Sequence, residues 1–179
     1  YFEILEPDFP EWLNEYINTE QVQRLKYVSM TCGKKYTKLF DFKYDFSTLD
    51  HSISVALIIW HFTKDRKQTL SGLFHDISTP VFKHCVDFLN GDYMTQESTE
   101  SLTKSIIANS HDIMKLLKRD GIDIDEVCDY HIYPIADNDT PQLSADRLEY
   151  SMSNDLFVFG KSDIEDVRKI YDDIVVGKN

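Results

Sequence analysis

The chain has 179 residues, of which 42% are hydrophobic and 28% charged, a composition typical of a soluble globular protein with a sizeable core. Its 19 Lys and Arg residues against 31 Asp and Glu residues give a formal net charge of −12. Such an acidic surface repels phosphate backbones and anionic lipids, which excludes duplex nucleic acid and membrane surfaces as expected partners. It is compatible with a small phosphorylated ligand, because a bound cation can reverse the charge of one pocket.

The cysteines and the apolar runs indicate the compartment. Cys32, Cys85 and Cys128 are far apart and form no CxxC pair, which argues against a disulfide framework and favours a reducing environment. The longest apolar run, 55–60, is too short to span a bilayer, and the first residues lack the basic region of a signal peptide. We therefore expect a cytoplasmic protein, and the sequence leaves homo-oligomerisation open.

Helical periodicity runs through most of the chain, with few glycines and prolines and no linker, so we expect one domain over residues 1–179. Apolar spacing predicts helices at 10–17, after Thr19 as a helix cap, and at 49–63, 70–76, 80–90, 98–108, 112–117, 125–130, 144–152 and 163–175. Residues near 39–46 instead alternate apolar and charged side chains, which predicts one short strand or hairpin arm. The fold class predicted is an all-α globular bundle.

Two His-Asp pairs stand out as candidate chemical groups. His75-Asp76 ends an apolar helical stretch, and burying an imidazole and a carboxylate there costs several kcal/mol unless a partner compensates. A divalent cation compensates both groups, although the pair taken alone is equally compatible with a helix cap. His111-Asp112 follows a cap-like segment and runs into basic residues, so we interpret it as a solvated helix start.

Four segments place polar residues in a distinctive order and spacing. They are His51-Ser52, Leu73-Phe74-His75-Asp76-Ile77, Phe82-Lys83-His84 and Asp146-Arg147-Leu148-Glu149-Tyr150. This pattern resembles the HD superfamily of metal-dependent phosphohydrolases, and it looks closest to the branch of deoxynucleoside triphosphate triphosphohydrolases and related small nucleotidases. The resemblance covers about residues 48–154 and implies a helical bundle of the HD-domain type.

The resemblance implies a metal centre held by His51, His75, Asp76 and Asp146. In the family, one or two divalent ions occupy this centre, variously iron, manganese, zinc, nickel, cobalt or magnesium. Two imidazoles and two carboxylates leave coordination positions open for phosphate and for a water that loses its proton more readily. Asp76 is thereby also a catalytic residue, and the implied function is hydrolysis of a small phosphate ester, with nucleotides among the candidates.

The resemblance also implies roles around the substrate. His84 stands where the family signature HDxGHxPFSH ends, so it contacts phosphate or protonates the leaving oxygen, unless it is an exposed helix residue. We predict that Lys83 and Gln96 contact the substrate as well. Tyr150 lies one helical turn after Asp146, which places it either against the substrate's sugar or in the core.

The chain departs from the family pattern close to these positions. Thr79 replaces the middle histidine of the signature, and Gln96 stands where the family has a catalytic histidine before a glutamate. The alternative hypothesis is therefore a catalytically weak HD module that binds a nucleotide or a partner without turnover. His131, ahead of the acidic loop 137–139, is a candidate for a supporting role near the helix of Asp146.

Overall fold

The computed structural model describes residues 1–31, 38–39, 44–82, 84–91 and 102–177, and the regular structure in these ranges is helical, which confirms the all-α prediction. The α-helices are α1 (Phe2–Leu5), α2 (Leu13–Ile17), α3 (Glu20–Gln23), α4 (Thr48–Thr63), α5 (Arg66–Phe74), α6 (His84–Leu89), α7 (Thr103–Asn109), α8 (His111–Asp120), α9 (Ala145–Ser153) and α10 (Ile164–Asp172). In the described ranges, no helix is both long enough and apolar enough to cross a membrane.

The strand predicted near 39–46 falls largely outside the described residues. Beside it, Ser29 and Ser47 form an isolated antiparallel bridge. Ser47 then begins α4 with a capping box, in which its hydroxyl accepts from the Asp50 amide at 3.2 Å and the Asp50 carboxylate accepts from the Ser47 amide at 2.8 Å. This cap fixes where the central helix begins.

Helix α4 is the core of the bundle, because its residues from Ile53 to Ile59 are buried on every face. A helix that is apolar all round is stable only when other elements surround it. α5 packs against α4 most extensively, and α9 crosses it next to the candidate metal ligands. α9 begins at the Ser144 cap, whose hydroxyl accepts from the Arg147 amide.

Helix α5 begins four residues before the predicted start. Asp65 caps it by accepting hydrogen bonds from the amides of Lys67 and Gln68. The first turn of the helix is polar, so apolar periodicity does not reveal where the helix begins. The helix ends at Phe74, which leaves His75 at the C-cap position. The His-Asp pair therefore lies at a helix end, as its sequence context predicts.

Three local predictions are wrong. Thr19 precedes α3 but does not cap it, because its hydroxyl donates to the Tyr16 carbonyl at 2.7 Å. The predicted helix at 80–90 begins only at His84, after a turn. Residues 125–130 form no single helix, because an Asp123 capping box closes one 3-10 turn at Ile124–Glu126 and a second 3-10 turn follows at Tyr130–Ile132.

Two further elements continue predicted helices in other helical forms. A π-helix, Asn154–Phe159, continues α9 and ends at Gly160 in the left-handed conformation. A short 3-10 helix, Arg24–Tyr27, extends α3. The π-helix contacts α9 and the 3-10 helix contacts α4, so both elements lie close to the helices that carry the candidate site.

Gly72 sets how closely α4 and α5 approach. A Cβ atom at this position would lie 2.4 Å from Ile59 Cδ1 and 3.3 Å from Val55 Cγ1. We expect Gly72→Val to lower the free energy of unfolding by about 2–3 kcal/mol, because the added methyl groups overpack a buried interface. Urea denaturation measures this change. Gly177→Val is the control, since a Cβ at exposed Gly177 meets no atom within 4 Å, and an equal loss in both variants would contradict the packing argument.

Candidate metal centre

Three structural elements bring the four predicted ligands together. α4 contributes His51 from its first turns, the end of α5 contributes His75 and Asp76, and α9 contributes Asp146. Because α5 stops at Phe74, the backbone turns after it, with the amide of Thr79 donating to the Asp76 carbonyl at 2.9 Å. At this helix end the side chains of the adjacent residues His75 and Asp76 converge, with 3.8 Å between Nε2 and Oδ2.

The distances among the ligand atoms define a compact centre. Nε2 of His51 lies 3.2 Å from Nε2 of His75 and 3.0 Å from Oδ1 of Asp146. Nε2 of His75 lies 3.8 Å from Oδ2 of Asp76 and 3.9 Å from Oδ1 of Asp146. Ligand atoms of His51, His75 and Asp76 all lie within 4.8 Å of one another.

These distances fit one divalent ion. Metal-ligand bonds of about 2.1 Å place neighbouring ligands of an octahedral ion about 3.0 Å apart and opposite ligands about 4.2 Å apart. The distances from His51 Nε2 to Asp146 Oδ1 and from His75 Nε2 to both carboxylates, 3.0 to 3.9 Å, lie within that interval. Imidazole nitrogens and carboxylate oxygens are ordinary ligands of such ions. Small side-chain adjustments would suffice for coordination.

The ring of His75 has a defined tautomer. Its Nδ1 lies 2.7 Å from the Gly72 carbonyl, which can only accept, so Nδ1 carries the proton and donates it. The lone pair of Nε2 is then directed at the centre. A backbone acceptor of this kind is a common outer partner of a metal-binding histidine.

Asp76 is oriented from its outer side. The hydroxyl of Thr79 donates to Oδ1 at 2.6 Å, while Oδ2 is the oxygen nearer His75. Arg24 fixes the turn beyond it, since its Nη2 donates to the carbonyls of Ile77 and Thr79, both at 2.9 Å. Thr79 therefore orients the Asp76 carboxylate, and it does so from the sequence position at which the HD-family signature has a histidine.

His51 is held from the opposite side by Glu149, a residue without a role in the sequence-based predictions. Nδ1 of His51 contacts Oε2 of Glu149 in a very short ion pair. The hydroxyl of Tyr1 donates to Oε1 at 3.3 Å and that of Ser153 contacts Oε2 at 3.4 Å. Glu149 lies three residues after Asp146 on α9, so helical spacing alone indicates that both carboxylates share a face.

The electrostatic environment favours positive charge at this point. Burial would lower the pKa of His51, but the charge of Glu149 and the hydrogen bonds to Asp146 and Glu149 outweigh it and raise that pKa to about 10. Burial would likewise raise the pKa of Asp146, yet His51 holds it below its ordinary value. The carboxylates therefore stabilise a proton on His51, and a metal ion at the same position would experience the same attraction.

The centre is buried on one side and accessible on the other. The side chains of His51 and His75 are 4% and 5% exposed, whereas those of Asp76 and Asp146 are 20% and 26% exposed. Access therefore lies on the carboxylate side. His75 also lines a cavity of about 280 Å³, together with Thr103, Lys104, Cys128, Asp129, Tyr130 and His131.

The rings beside His75 link this cavity to the centre. The Tyr130 ring lies 5.1 Å from the His75 ring, and the His131 ring lies 4.4 Å from that of Tyr130. His131 is held between carboxylates, with Nδ1 2.9 Å from Asp129 and Nε2 3.6 Å from Asp137. His131 thus lies on the cavity side, with Tyr130 between it and His75, and its supporting role stays a prediction.

The remaining predicted residues have mixed outcomes. Tyr150 is 54% exposed, which rules out a core position for its side chain. Lys83, Gln96 and the side chain of His84 lie outside the described part of the chain, so their predicted roles stay predictions. The second His-Asp pair begins α8 and is exposed at His111, in keeping with a solvated helix start.

Comparison with known proteins identifies two distant relatives. The chain is 27% identical over 165 residues, 92% of its length, to the uncharacterized protein YdhJ of Bacillus subtilis, where the match covers 49% of that protein. It is 25% identical over 158 residues, 88% of its length, to the metal-dependent phosphohydrolase cns2 of Cordyceps militaris, where the match covers 44%. The chain thus spans about half the length of the curated relatives it matches.

No protein-family model and no solved structure matches the chain. The relative named as a metal-dependent phosphohydrolase nevertheless supports the resemblance to the HD superfamily and a hydrolase in general. Together with the cluster of His51, His75 and Asp76, it also supports binding of a divalent metal. Neither relative's name specifies a substrate, and neither points to the triphosphohydrolase branch.

The two His-Asp pairs provide a matched test of metal binding. We expect His75→Ala to weaken binding of Mn²⁺ or Zn²⁺ by more than about 100-fold, because losing a direct ligand exceeds the loss typical of outer partners. His111→Ala should bind these ions as wild type does, since His111 is exposed at the start of α8. Elemental analysis after equilibrium dialysis measures bound metal. Equal retention by both variants would contradict the placement of the centre.

Proposed function

We propose that this chain is the catalytic domain of an HD-type metal-dependent phosphohydrolase that cleaves a small phosphate ester. The observation that carries the proposal is the convergence of His51, His75, Asp76 and Asp146 from three elements, at spacings that suit one divalent ion. The relative named as a metal-dependent phosphohydrolase supports the same class. The proposal concerns the matched region, since the relatives are about twice as long.

The protein groups have separate tasks in this proposal. A divalent ion held by the four ligands would acidify a coordinated water and offset the charge of the phosphoryl oxygens. His75 presents the lone pair of Nε2 because Gly72 accepts its Nδ1 proton. Asp76 keeps Oδ2 on the side of the centre because Thr79 donates to Oδ1. The pKa of Asp146 is lowered, because the effect of His51 outweighs that of burial, and its carboxylate is therefore ionised at neutral pH.

The cavity beside His75 is the proposed place for the organic part of the ester. Its volume of about 280 Å³ is at the lower limit of ordinary ligand pockets, which favours a small substrate. Tyr130 and His131 offer flat ring surfaces there, so a nucleotide is one ester that suits the cavity. Thr103 lines the cavity and donates to Ser78 at 3.1 Å, which joins this wall to the turn after Asp76.

The replacement of a signature histidine by Thr79 favours a second candidate function, that of a module that binds a phosphorylated ligand without rapid turnover. Its hydroxyl is engaged with Asp76 at 2.6 Å and does not titrate near neutral pH, so it cannot replace a histidine as a proton donor. Calorimetry with phosphate esters distinguishes the two candidates. Tight binding with no released phosphate would favour the module, and metal-dependent turnover would favour the hydrolase.

The phosphohydrolase proposal predicts metal-dependent release of phosphate. We expect the metal-loaded protein to hydrolyse members of a phosphate-ester panel that includes nucleoside monophosphates, and a chelator to abolish this activity. Asp76→Asn should lower kcat by about 100-fold or more, since it removes a charged ligand whose loss exceeds that of an outer partner. Asp112→Asn, in the exposed second pair, should leave kcat unchanged. Wild-type activity retained in Asp76→Asn, or no hydrolysis across the panel, would overturn the proposal.

Two tyrosines test where the substrate lies. We expect Tyr130→Ala to raise KM by about 10-fold, a loss of roughly 1.4 kcal/mol of binding, with little effect on kcat. Tyr150→Ala should change KM less, because Tyr150 is 54% exposed and does not line the cavity. Steady-state kinetics with verified metal content gives both values. The reverse order would move the substrate to the face of α9 and restore the sequence-based prediction for Tyr150.

A further inference from the structure

Glu149 is the most deeply buried carboxylate of the site and is not needed to complete the predicted ligand set. Its relative exposure is 0%, compared with 20% and 26% for the side chains of Asp76 and Asp146. A carboxylate removed from water is strongly destabilising unless charged and hydrogen-bonding partners compensate it. Its described partners are His51, Tyr1 and Ser153. Only the first of these belongs to the centre.

We infer that Glu149 is a positioning residue that fixes the tautomer and strengthens the donor of His51, and this inference rests on the proposed function. Its carboxylate accepts the proton of Nδ1, which directs Nε2 of His51 toward Asp146 and His75. A carboxylate behind a histidine also increases the basicity of the ring and hence its strength as a ligand. His75 has a backbone carbonyl, that of Gly72, in the equivalent position. The two histidines are therefore supported unequally.

The surroundings of Glu149 indicate that it acts through His51 rather than as a ligand itself. The hydroxyl of Tyr1 donates to Oε1, on the side away from the His51 contact at Oε2. The Tyr1 ring is packed edge-on against Phe46 and Phe157, at 5.9 and 5.4 Å between ring centroids. Burial and the nearby charge of Glu149 raise the pKa of Tyr1, so the hydroxyl remains a donor. Both oxygens of Glu149 are thus engaged behind the ring.

Glu149→Gln tests this role with little change of shape. A glutamine can donate its amide to Nδ1, which would move the ring proton to Nε2, the atom that must bind the ion. We expect its Zn²⁺ dissociation constant, measured by competition with a chromogenic chelator, to rise by about 10- to 100-fold. Glu15→Gln is the control, because it removes the same charge from an exposed carboxylate that pairs with Arg119, away from the centre. It should leave the dissociation constant within about twofold, as expected for a screened surface charge.

A second readout separates positioning from mere stabilisation of the fold. Long-range proton-nitrogen NMR spectra of the Zn²⁺-loaded protein should show His51 protonated at Nδ1 in wild type and in Glu15→Gln.

If Glu149→Gln does not fold, Tyr1→Phe removes one hydrogen bond to the same carboxylate and should raise the Zn²⁺ dissociation constant by about 2- to 10-fold. The control for this variant is Tyr133→Phe, whose hydroxyl donates to the Glu126 carbonyl instead.

The outcomes distinguish this inference from the proposed function. Wild-type protein without affinity for Zn²⁺ or Mn²⁺ would overturn both. Wild-type binding that is unchanged in folded Glu149→Gln, or in Tyr1→Phe where the first variant does not fold, would overturn only the role of Glu149. Weaker Zn²⁺ binding by Glu149→Gln, together with His51 protonated at Nδ1 in the wild-type protein, would support the role of Glu149.

Discussion

The cost of removing ionisable groups from water constrains this structure most strongly. Two imidazoles and one carboxylate, those of His51, His75 and Glu149, are buried at the junction of α4, α5 and α9. None of them is stable there alone, so each must be paired within a few ångströms. The pairing of His51 with Glu149 and with Asp146 satisfies this requirement across elements that are about a hundred residues apart. The helices cannot shift relative to one another without exposing or separating these charges.

Gly72 shows how helix packing and site geometry depend on the same residue. Its missing side chain leaves room for Ile59 and Val55 of α4, whose side chains would have to shift to accommodate an added Cβ. Its carbonyl, at the same turn, accepts the Nδ1 proton of His75. The close approach brings the Nε2 atoms of the two histidines to 3.2 Å, and the carbonyl directs one of them inward. Apolar packing on one face of α5 therefore supports the polar centre at its end.

The four candidate ligands were predicted from the resemblance to the HD superfamily, which rests on the order and spacing of several segments rather than on one local signature. A His-Asp pair at a helix end is, by itself, equally compatible with a cap. Sequence reasoning missed groups whose partners are distant along the chain. Tyr1 reaches Glu149 across 148 positions, and Arg24 reaches the carbonyl of Thr79 across 55, and neither contact leaves a periodic pattern. Glu149 could have been predicted from its three-residue spacing to Asp146, but an acidic residue on a helix is usually expected to be solvent-exposed.

The charges around the centre limit how it can bind phosphate. Asp76, Asp146 and Glu149 together carry three negative charges, so one divalent ion leaves the cluster negative, and a phosphate ester would add to that repulsion. Further positive charge must therefore come from nearby. Arg24 is attracted to Asp76 and is fixed on the adjacent turn, and Lys104 lines the cavity while paired with Asp125. Because both cations are already engaged with other groups, a divalent ion bound by the candidate ligands would be the main positive charge available to a phosphate ester within the described part of the chain.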